Sequence, residues 1–283
     1  MTEALHALGV GDRLAATSLW FNDVLPEFKA QNDRVPRLNS NAPSFEFVVN
    51  KRPGLVAAQY EWMIGPKGAV GTREQFAQLG IPTYVLPVDY EGKNNLLGAD
   101  GTRIAAYAIE TLHKSITQLA SMFDKDAAGS ALVADLRGRE AMAIKRIAKL
   151  KLPDVSAVFW FSSADMELDP YLAGRKGVPG FMMATLGIRN VVRSDEEWPT
   201  VCWETIAKAN PSILVIARMD RRRFPAEDYE KKLGFLRADP ATKEVKVVKR
   251  GRIVILDAQA MEASTHLIGG METLAEAVSK LDQ

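Results

Sequence analysis

Residues 44–58 read SFEFVVNKRPGLVAA, and residues 202–217 read CWETIAKANPSILVIA. In both stretches a glutamate, Glu46 or Glu204, is followed seven residues later by a proline and then by a short apolar run. The pattern predicts a short helix with a carboxylate in its first turn, where the helix dipole favours negative charge, and a strand after the proline. Strands that are apolar throughout suit a parallel sheet that is buried on both faces. Two copies of this unit predict two similar α/β lobes.

A second pattern, a Leu-Gly pair followed by apolar or β-branched residues, occurs three times. It reads LGVGDRLAATS at 8–18, LGIPTYVLP at 79–87 and LGIRNVV at 186–192. Each glycine is expected to end a helix in the left-handed conformation, and the chain is expected to enter a strand soon after it. Alternating helices and strands predict parallel, right-handed βαβ units. The predicted strands are Leu14–Thr17, Leu55–Ala58, Thr83–Leu86, Ala157–Phe161, Ile213–Ala217 and Ile253–Leu256.

A long stretch without proline separates the two repeats. In AAGSALVADLRGREAMAIKRIAKLK, residues 127–151, the apolar residues Val133, Leu136, Ile144, Ile147 and Leu150 have near-helical spacing. We therefore predict one rigid helix over residues 125–150. It would connect an N-terminal α/β lobe, residues 1–124, to a C-terminal α/β lobe, residues 151–283. The fold class is α/β, with two Rossmann-like lobes of parallel-rich sheets.

The amino-acid composition argues against several classes of protein. The 283 residues carry 36 lysines and arginines against 35 aspartates and glutamates, a formal net charge of +1. A nucleic-acid-binding protein would show a stronger basic bias, so no nucleic-acid partner is expected. No apolar run reaches the roughly 18 residues that cross a bilayer. The single cysteine, Cys202, cannot form an internal disulfide.

The sequence lacks the common catalytic motifs. Gly9-Val10-Gly11 begins like a dinucleotide-binding loop, but Leu14 stands where its third glycine belongs, and a strand is expected after it instead of before it. The three histidines are far apart in sequence, and Cys202 has no histidine near it. We therefore predict no catalytic residues and no metal site.

Candidate ligand-binding residues lie near the end of a predicted strand or after it, because open α/β sheets bind ligands at the carboxyl ends of their strands. The N-terminal lobe supplies aromatic side chains, which offer stacking area, and the C-terminal lobe supplies arginines, which recognise oxyanions and stack on flat ligands. The candidate residues are Trp20, Tyr60, Trp62, Tyr90, Trp160, Arg218, Arg221 and Met261.

Taken together, LGVGDRL, FEFVVNKRPGLVAA, the LGIPTYVLP joint, the long central helix, WETIAKANPSILVIA and the closing GRIVILD resemble a known family. It is that of the periplasmic substrate-binding proteins of ABC importers, of the ferric siderophore, haem and cobalamin type. The resemblance implies two α/β lobes joined by one rigid helix, a ligand cleft between them, and modest closure.

The same resemblance implies partners and a location. An ABC permease and its ATPase would receive the ligand, and Glu46 and Glu204 match the family's glutamates that dock on the permease. The protein is expected to be a monomer in the periplasm, or tethered outside the cytoplasm. An export signal and a first strand usually precede the TEALHALG helix in the family, and residues 1–13 contain neither.

The expected ligand is a small metal chelate, with no resident cofactor. Aromatics in one lobe and arginines in the other favour a ferric siderophore. Haem would need an axial ligand, for which Tyr60 and Tyr90 are available, and cobalamin would favour aromatics with little charge. A second possibility is that the protein is a sensor, in which binding of the same ligand signals to a partner instead of feeding a transporter. A third possibility is a two-lobed α/β enzyme, glycosyltransferase-like or nitrogenase-like. Its acid–base pair would come from Glu61, Asp89, Asp220 and Asp257.

Overall fold

The computed structural model describes residues 1–98, 100–150 and 154–282. Two compact units are present, an N-terminal unit, Met1–Asp135, and a C-terminal unit, Leu136–Gln283, and each is described by itself. The division falls inside the long helix predicted as the connector, so both units include part of that helix. The predicted start of the second lobe at residue 151 and its end at residue 283 lie outside the described residues.

The N-terminal unit is built from short elements. Its helices are α1 (Thr2–Ala7), α2 (Lys29–Asn32), α3 (Phe45–Val49), α4 (Arg73–Gln78), α5 (Pro87–Tyr90) and α6 (Glu110–Met122). Its strands are β1 (Thr17–Ser18), β2 (Arg37–Asn39), β3 (Val56–Ala58), β4 (Thr83–Val85), β5 (Lys93–Asn94) and β6 (Thr102–Arg103). The pairs β1–β2 and β3–β4 are parallel, whereas β5–β6 is antiparallel.

Helix α7 (Asp126–Ala148) fits the predicted helix closely. Val133, Leu136 and Ala143 are buried along one side of it. Ile144, which the spacing placed on the same apolar face, is exposed instead. The periodicity therefore identified the helix, but Ile144, at 37% exposure, lies at the margin of its buried side.

The C-terminal unit contains one larger sheet. Its remaining helices are α8 (Val178–Thr185), α9 (Trp203–Ala209), α10 (Tyr229–Ala238), α11 (Lys246–Lys249) and α12 (His266–Ser279). Its strands are β7 (Ser156–Ser162), β8 (Tyr171–Leu172), β9 (Arg189–Asn190), β10 (Ile213–Arg218) and β11 (Ile253–Asp257). The order β11–β10–β7 is parallel throughout, and the other edge of β7 pairs with parallel β9 and antiparallel β8.

Five of the six predicted strands are confirmed to within one residue at each end, and the first one is corrected. Strand β10 is buried along nearly its whole length, as a central parallel strand should be, whereas β3 is only partly buried. The predicted strand Leu14–Thr17 is wrong in its bounds. The chain first makes a 3₁₀ turn at Gly11–Arg13, and the strand is limited to Thr17–Ser18.

The three Leu-Gly joints share one backbone geometry. Gly9, Gly80 and Gly187 have positive φ angles of 72°, 69° and 68° after α1, α4 and α8. In each case the amide of the next residue bonds to a carbonyl five residues earlier, for example Ile188 N to Met183 O at 2.8 Å. This is the Schellman arrangement, which satisfies helix carbonyls that would otherwise lack a partner. The predicted left-handed glycines are confirmed.

Candidate functional site

The carboxyl ends of β3 and β4, in the N-terminal unit, lie at one edge of their two-stranded sheet because the two strands are parallel, with Val56 opposite Thr83. Tyr60 and Trp62 follow β3, and their rings stack with centroids 6.0 Å apart and planes 19° apart. Both side chains are half-buried, and Tyr90 after β4 is 38% exposed. The stacked pair therefore offers aromatic surface at the β3–β4 edge.

Carboxylates at this edge are bound within the unit. Asp89 accepts a hydrogen bond from the backbone amide of Glu61 at 2.6 Å and pairs with Lys93 at 2.8 Å. The Glu61 carboxylate accepts from Arg73 at 3.0 Å and from Asn95 at 3.4 Å. Each carboxylate thus forms an ion pair with a basic side chain. The enzyme alternative would instead require two carboxylates that act together as an acid–base pair.

Trp20 lies apart from the β3–β4 pair, after β1 in a different sheet. Its side chain is buried, its indole Nε1 donates to the Thr17 hydroxyl at 3.2 Å, and the Arg37 guanidinium lies 5.4 Å from the ring centroid. These contacts assign Trp20 a packing role in the N-terminal unit.

In the C-terminal unit, Arg218 ends β10 beside Asp257 at the end of β11. The register puts the two residues opposite each other, and the arginine Nη2 lies 2.6 Å from the aspartate Oδ1. The arginine side chain is about half exposed, with a relative accessibility of 49%. Asp257 therefore orients Arg218 while leaving much of the guanidinium accessible.

The segment between β10 and α10, residues 219–228, is called the arginine loop here because it contains Arg221, Arg222 and Arg223. Arg221 is half-buried, and the other two arginines are exposed. Arg222 forms an ion pair with Asp228 at 2.9 Å, and the Arg223 guanidinium lies 5.3 Å from the Phe224 ring. Arg222 and Arg223 therefore make contacts with other residues of the arginine loop itself.

Two predicted ligand-binding residues lie in the core. Trp160 and Met261 are each 1% exposed. The Trp160 indole donates to the Ser162 carbonyl and the Ser163 hydroxyl, and its ring contacts Trp203 edge-on at 4.9 Å. Each side chain is buried, so a ligand would have no access to either of them in this structure. We therefore remove both from the candidate set.

One aromatic pair at the end of β7 was missing from the sequence-based set. Phe161 and Trp198 are half-buried, with ring centroids 4.6 Å apart. Side chains alternate along a strand, so Phe161 faces opposite Trp160, and alternation could have found it. Trp198 comes from a loop, where no local pattern identifies it.

Glu46 and Glu204 occupy equivalent positions. Each is the second residue of its helix, α3 or α9, and each is exposed. Hydrogen bonds from its own backbone amide and from Ser44 lower the pKa of Glu46. The predicted first-turn glutamates are confirmed as structural features.

Within residues 1–98, 100–150 and 154–282, no group of three or more His, Cys, Asp or Glu could hold a metal ion. The three histidines are buried. None of the helices in this part of the chain combines the length and the hydrophobicity that crossing a membrane requires.

A family model described as "Periplasmic binding protein" matches residues 1–260. The chain belongs to the periplasmic binding protein family. Members of this family are substrate-binding components of ABC transporters, and they bind a solute instead of catalysing a reaction. No curated protein matches the chain in sequence.

Solved structures show the same fold in other periplasmic binding proteins. One from Veillonella parvula has a TM-score of 0.78 at 19% identity and covers 98% of this chain and 87% of its own. An ABC-type Fe3+-hydroxamate transport protein from Saccharomonospora viridis has a TM-score of 0.74 at 22% identity, covering 97% and 89%. The haem-binding protein RhuT from Roseiflexus has a TM-score of 0.74 at 18% identity, covering 100% and 95%. The α/β fold class is thereby confirmed.

Proposed function

We propose that this periplasmic binding protein captures an iron–siderophore complex outside the cytoplasm and delivers it to an ABC permease with its ATPase. The family match supports solute binding for import. The stacked Tyr60–Trp62 pair at the β3–β4 edge supports a large chelate as the ligand, since the two rings offer apolar surface for its organic framework. Half-exposed Arg218 and half-buried Arg221 add groups that recognise oxyanions. The likeness to an Fe3+-hydroxamate transport protein is consistent with this ligand.

Haem is the second candidate, and one observation favours it. Haem iron needs an axial ligand from the protein. The histidines are buried, whereas Tyr60 is half-buried and Tyr90 is 38% exposed. A phenol oxygen at the β3–β4 edge would therefore be the axial ligand, and the likeness to a haem-binding protein agrees with this reading.

A spectroscopic titration separates the two ligands. The protein is titrated with ferric hydroxamate and ferric catecholate siderophores, haemin and cobalamin, while tryptophan fluorescence and the visible spectrum are recorded. We expect saturable 1:1 quenching by a ferric siderophore without turnover. Absence of both quenching and a thermal shift with all four ligands would refute the proposal.

The Tyr60→Phe variant refines the same test. It keeps the ring that stacks on Trp62 but removes the phenol oxygen, so siderophore affinity should be retained whereas axial haem ligation by Tyr60 should be lost. Trp62→Leu should weaken binding of a stacked ligand by about two- to twelvefold, because an aromatic contact contributes roughly 0.5–1.5 kcal/mol beyond burial.

Docking on the permease is proposed for Glu46 and Glu204. Charge reversal at both positions should abolish uptake in cells while ligand affinity stays unchanged. Glu74 and Glu230 are matched controls, because each is also the exposed second residue of a helix, α4 or α10. Uptake that survives the Glu46→Lys and Glu204→Lys changes, or that is lost equally with the controls, would contradict the docking role.

A further inference from the structure

In each unit a buried carboxylate accepts a backbone amide proton from the loop after a sheet strand. In the N-terminal unit this is Asp89, and in the C-terminal unit it is Glu227; each is 4% exposed. Each carboxylate also has a buried lysine nearby, Lys93 or Lys232. Neither carboxylate is part of the ligand-binding set argued above.

Asp89 holds the stacked pair of the N-terminal unit. One of its oxygens accepts from the Glu61 amide at 2.6 Å, and the other accepts from the Lys93 ammonium at 2.8 Å. The Glu61 amide lies in the chain between Tyr60 and Trp62. The bond to Asp89 therefore fixes the backbone from which both rings project.

Glu227 holds the arginine loop of the C-terminal unit. Its Oε2 accepts from the Arg223 amide at 2.5 Å and from the Phe224 amide at 3.3 Å, and its Oε1 accepts from the Ser162 hydroxyl at 3.0 Å. Ser162 is the last residue of β7. Lys232 donates to the neighbouring Phe161 carbonyl at 2.5 Å. The loop is thus tied to the end of β7.

We propose that Asp89 and Glu227 are positioning residues for ligand binding, which hold the Tyr60–Trp62 segment and the arginine loop in their binding geometry. This inference rests on the proposed function. A loop that is ordered before the ligand arrives avoids an entropy cost on binding. A buried ion pair such as Asp89–Lys93 contributes little net stability because desolvation offsets its attraction.

Asp89→Asn tests the N-terminal unit. Asparagine offers one acceptor oxygen to two donors, and the Lys93 ammonium keeps it because a cation binds that oxygen more strongly than a neutral amide does, so the Glu61 amide loses its acceptor. We expect faster hydrogen exchange at the Glu61 amide and about tenfold weaker binding of ferrichrome and ferric enterobactin alike. Asp33→Asn is the matched control, because Asp33 also pairs with a lysine four residues away, Lys29, but on the surface.

Glu227 is tested with two variants. Glu227→Gln can keep the geometry, because its oxygen can accept both amides and the Ser162 hydroxyl can reverse to accept from its nitrogen. Glu227→Ala removes all three bonds. We expect Glu227→Ala to weaken trianionic ferric enterobactin about tenfold more than neutral ferrichrome, with Glu227→Gln like the wild type. Glu244→Ala, which removes an exposed glutamate paired with Lys249, is the control.

The outcomes distinguish this inference from the proposed function. If the wild type binds none of the probes, the proposed function fails, whereas amide exchange at residues 61, 223 and 224 still tests positioning. Unchanged exchange in folded Asp89→Asn overturns the inference for the N-terminal unit. Equal losses in Glu227→Gln and Glu227→Ala would mean that charge, not position, matters, and would overturn it for the C-terminal unit. If Glu227→Ala does not fold, Glu227→Leu, which fills the space but accepts no hydrogen bond, takes its place, and unchanged exchange at residues 223 and 224 in it overturns the inference for the C-terminal unit.

Discussion

Replacing Lys232 with methionine should remove a pH dependence from the stability of the protein. Lys232 is completely buried against β7, with its ammonium 5.2 Å from the centroid of the Trp160 ring. Burial lowers the pKa of Lys232 from 10.5 to about 7, an effect that nearby Glu227 and Asp228 oppose. Methionine has a similar length and carries no charge.

The sign follows from the protons that each state binds. In the unfolded chain Lys232 stays protonated up to about pH 10.5, whereas in the folded protein it loses its proton near pH 7. Above about pH 7 the unfolded state binds more protons, so the free energy of unfolding rises with pH, and the gain ends near the unfolded pKa. A pKa unit corresponds to roughly 1.4 kcal/mol, so this residue should add about 2 kcal/mol between pH 7 and pH 9.

Urea unfolding of both proteins between these pH values measures the effect. The difference in unfolding free energy, wild type minus Lys232→Met, should grow with pH, because other titrating groups contribute equally to both proteins. Lys249→Met, which removes one exposed positive charge from the same unit, is the control for net charge. A difference that stays constant over this range would refute a depressed pKa for Lys232.

Three further changes test the packing of the units. Phe76→Ala removes a fully buried ring that contacts Phe45 with centroids 4.9 Å apart, and it should lower the free energy of unfolding by about 3–5 kcal/mol in urea. Gly174→Ala would push a methyl group into the Glu196 carbonyl oxygen, and it should destabilise the protein by about 1–3 kcal/mol in the same assay. Gly138→Ala, in contrast, adds its methyl group in open space within α7 and should raise the melting temperature, with a gain of about 0.5–1 kcal/mol; a lower melting temperature would contradict the helix assignment.

The local features of the fold were accessible to sequence reasoning because neighbouring residues decide them. The positive φ of Gly80 follows from what a helix end requires, and the first-turn position of Glu46 follows from the dipole and from Ser44 as the N-cap. The apolar run of β10 likewise reads directly as a buried parallel strand.

The candidate site could be predicted from the sequence only in part. Tyr60 and Trp62 could be placed at a strand end, but their stacking depends on the Asp89 bond to the segment between them. Trp160 and Met261 lie near strand ends, which predicts an accessible side chain, yet tertiary packing buries both of them. Phe161 and Trp198, the pair the sequence analysis missed, meet only through the tertiary fold.

The sequence alone therefore determined the α/β class, the helix ends and the equivalent positions of Glu46 and Glu204, since backbone preference and periodicity act over a few neighbouring residues. Tertiary structure alone decided which aromatic side chains stay accessible and which charges pair. Arg218 meets Asp257 because β10 and β11 are adjacent and in register, and Glu227 reaches Ser162 across 65 residues of chain. Such contacts depend on strand pairing and burial between distant segments, and no local pattern encodes them.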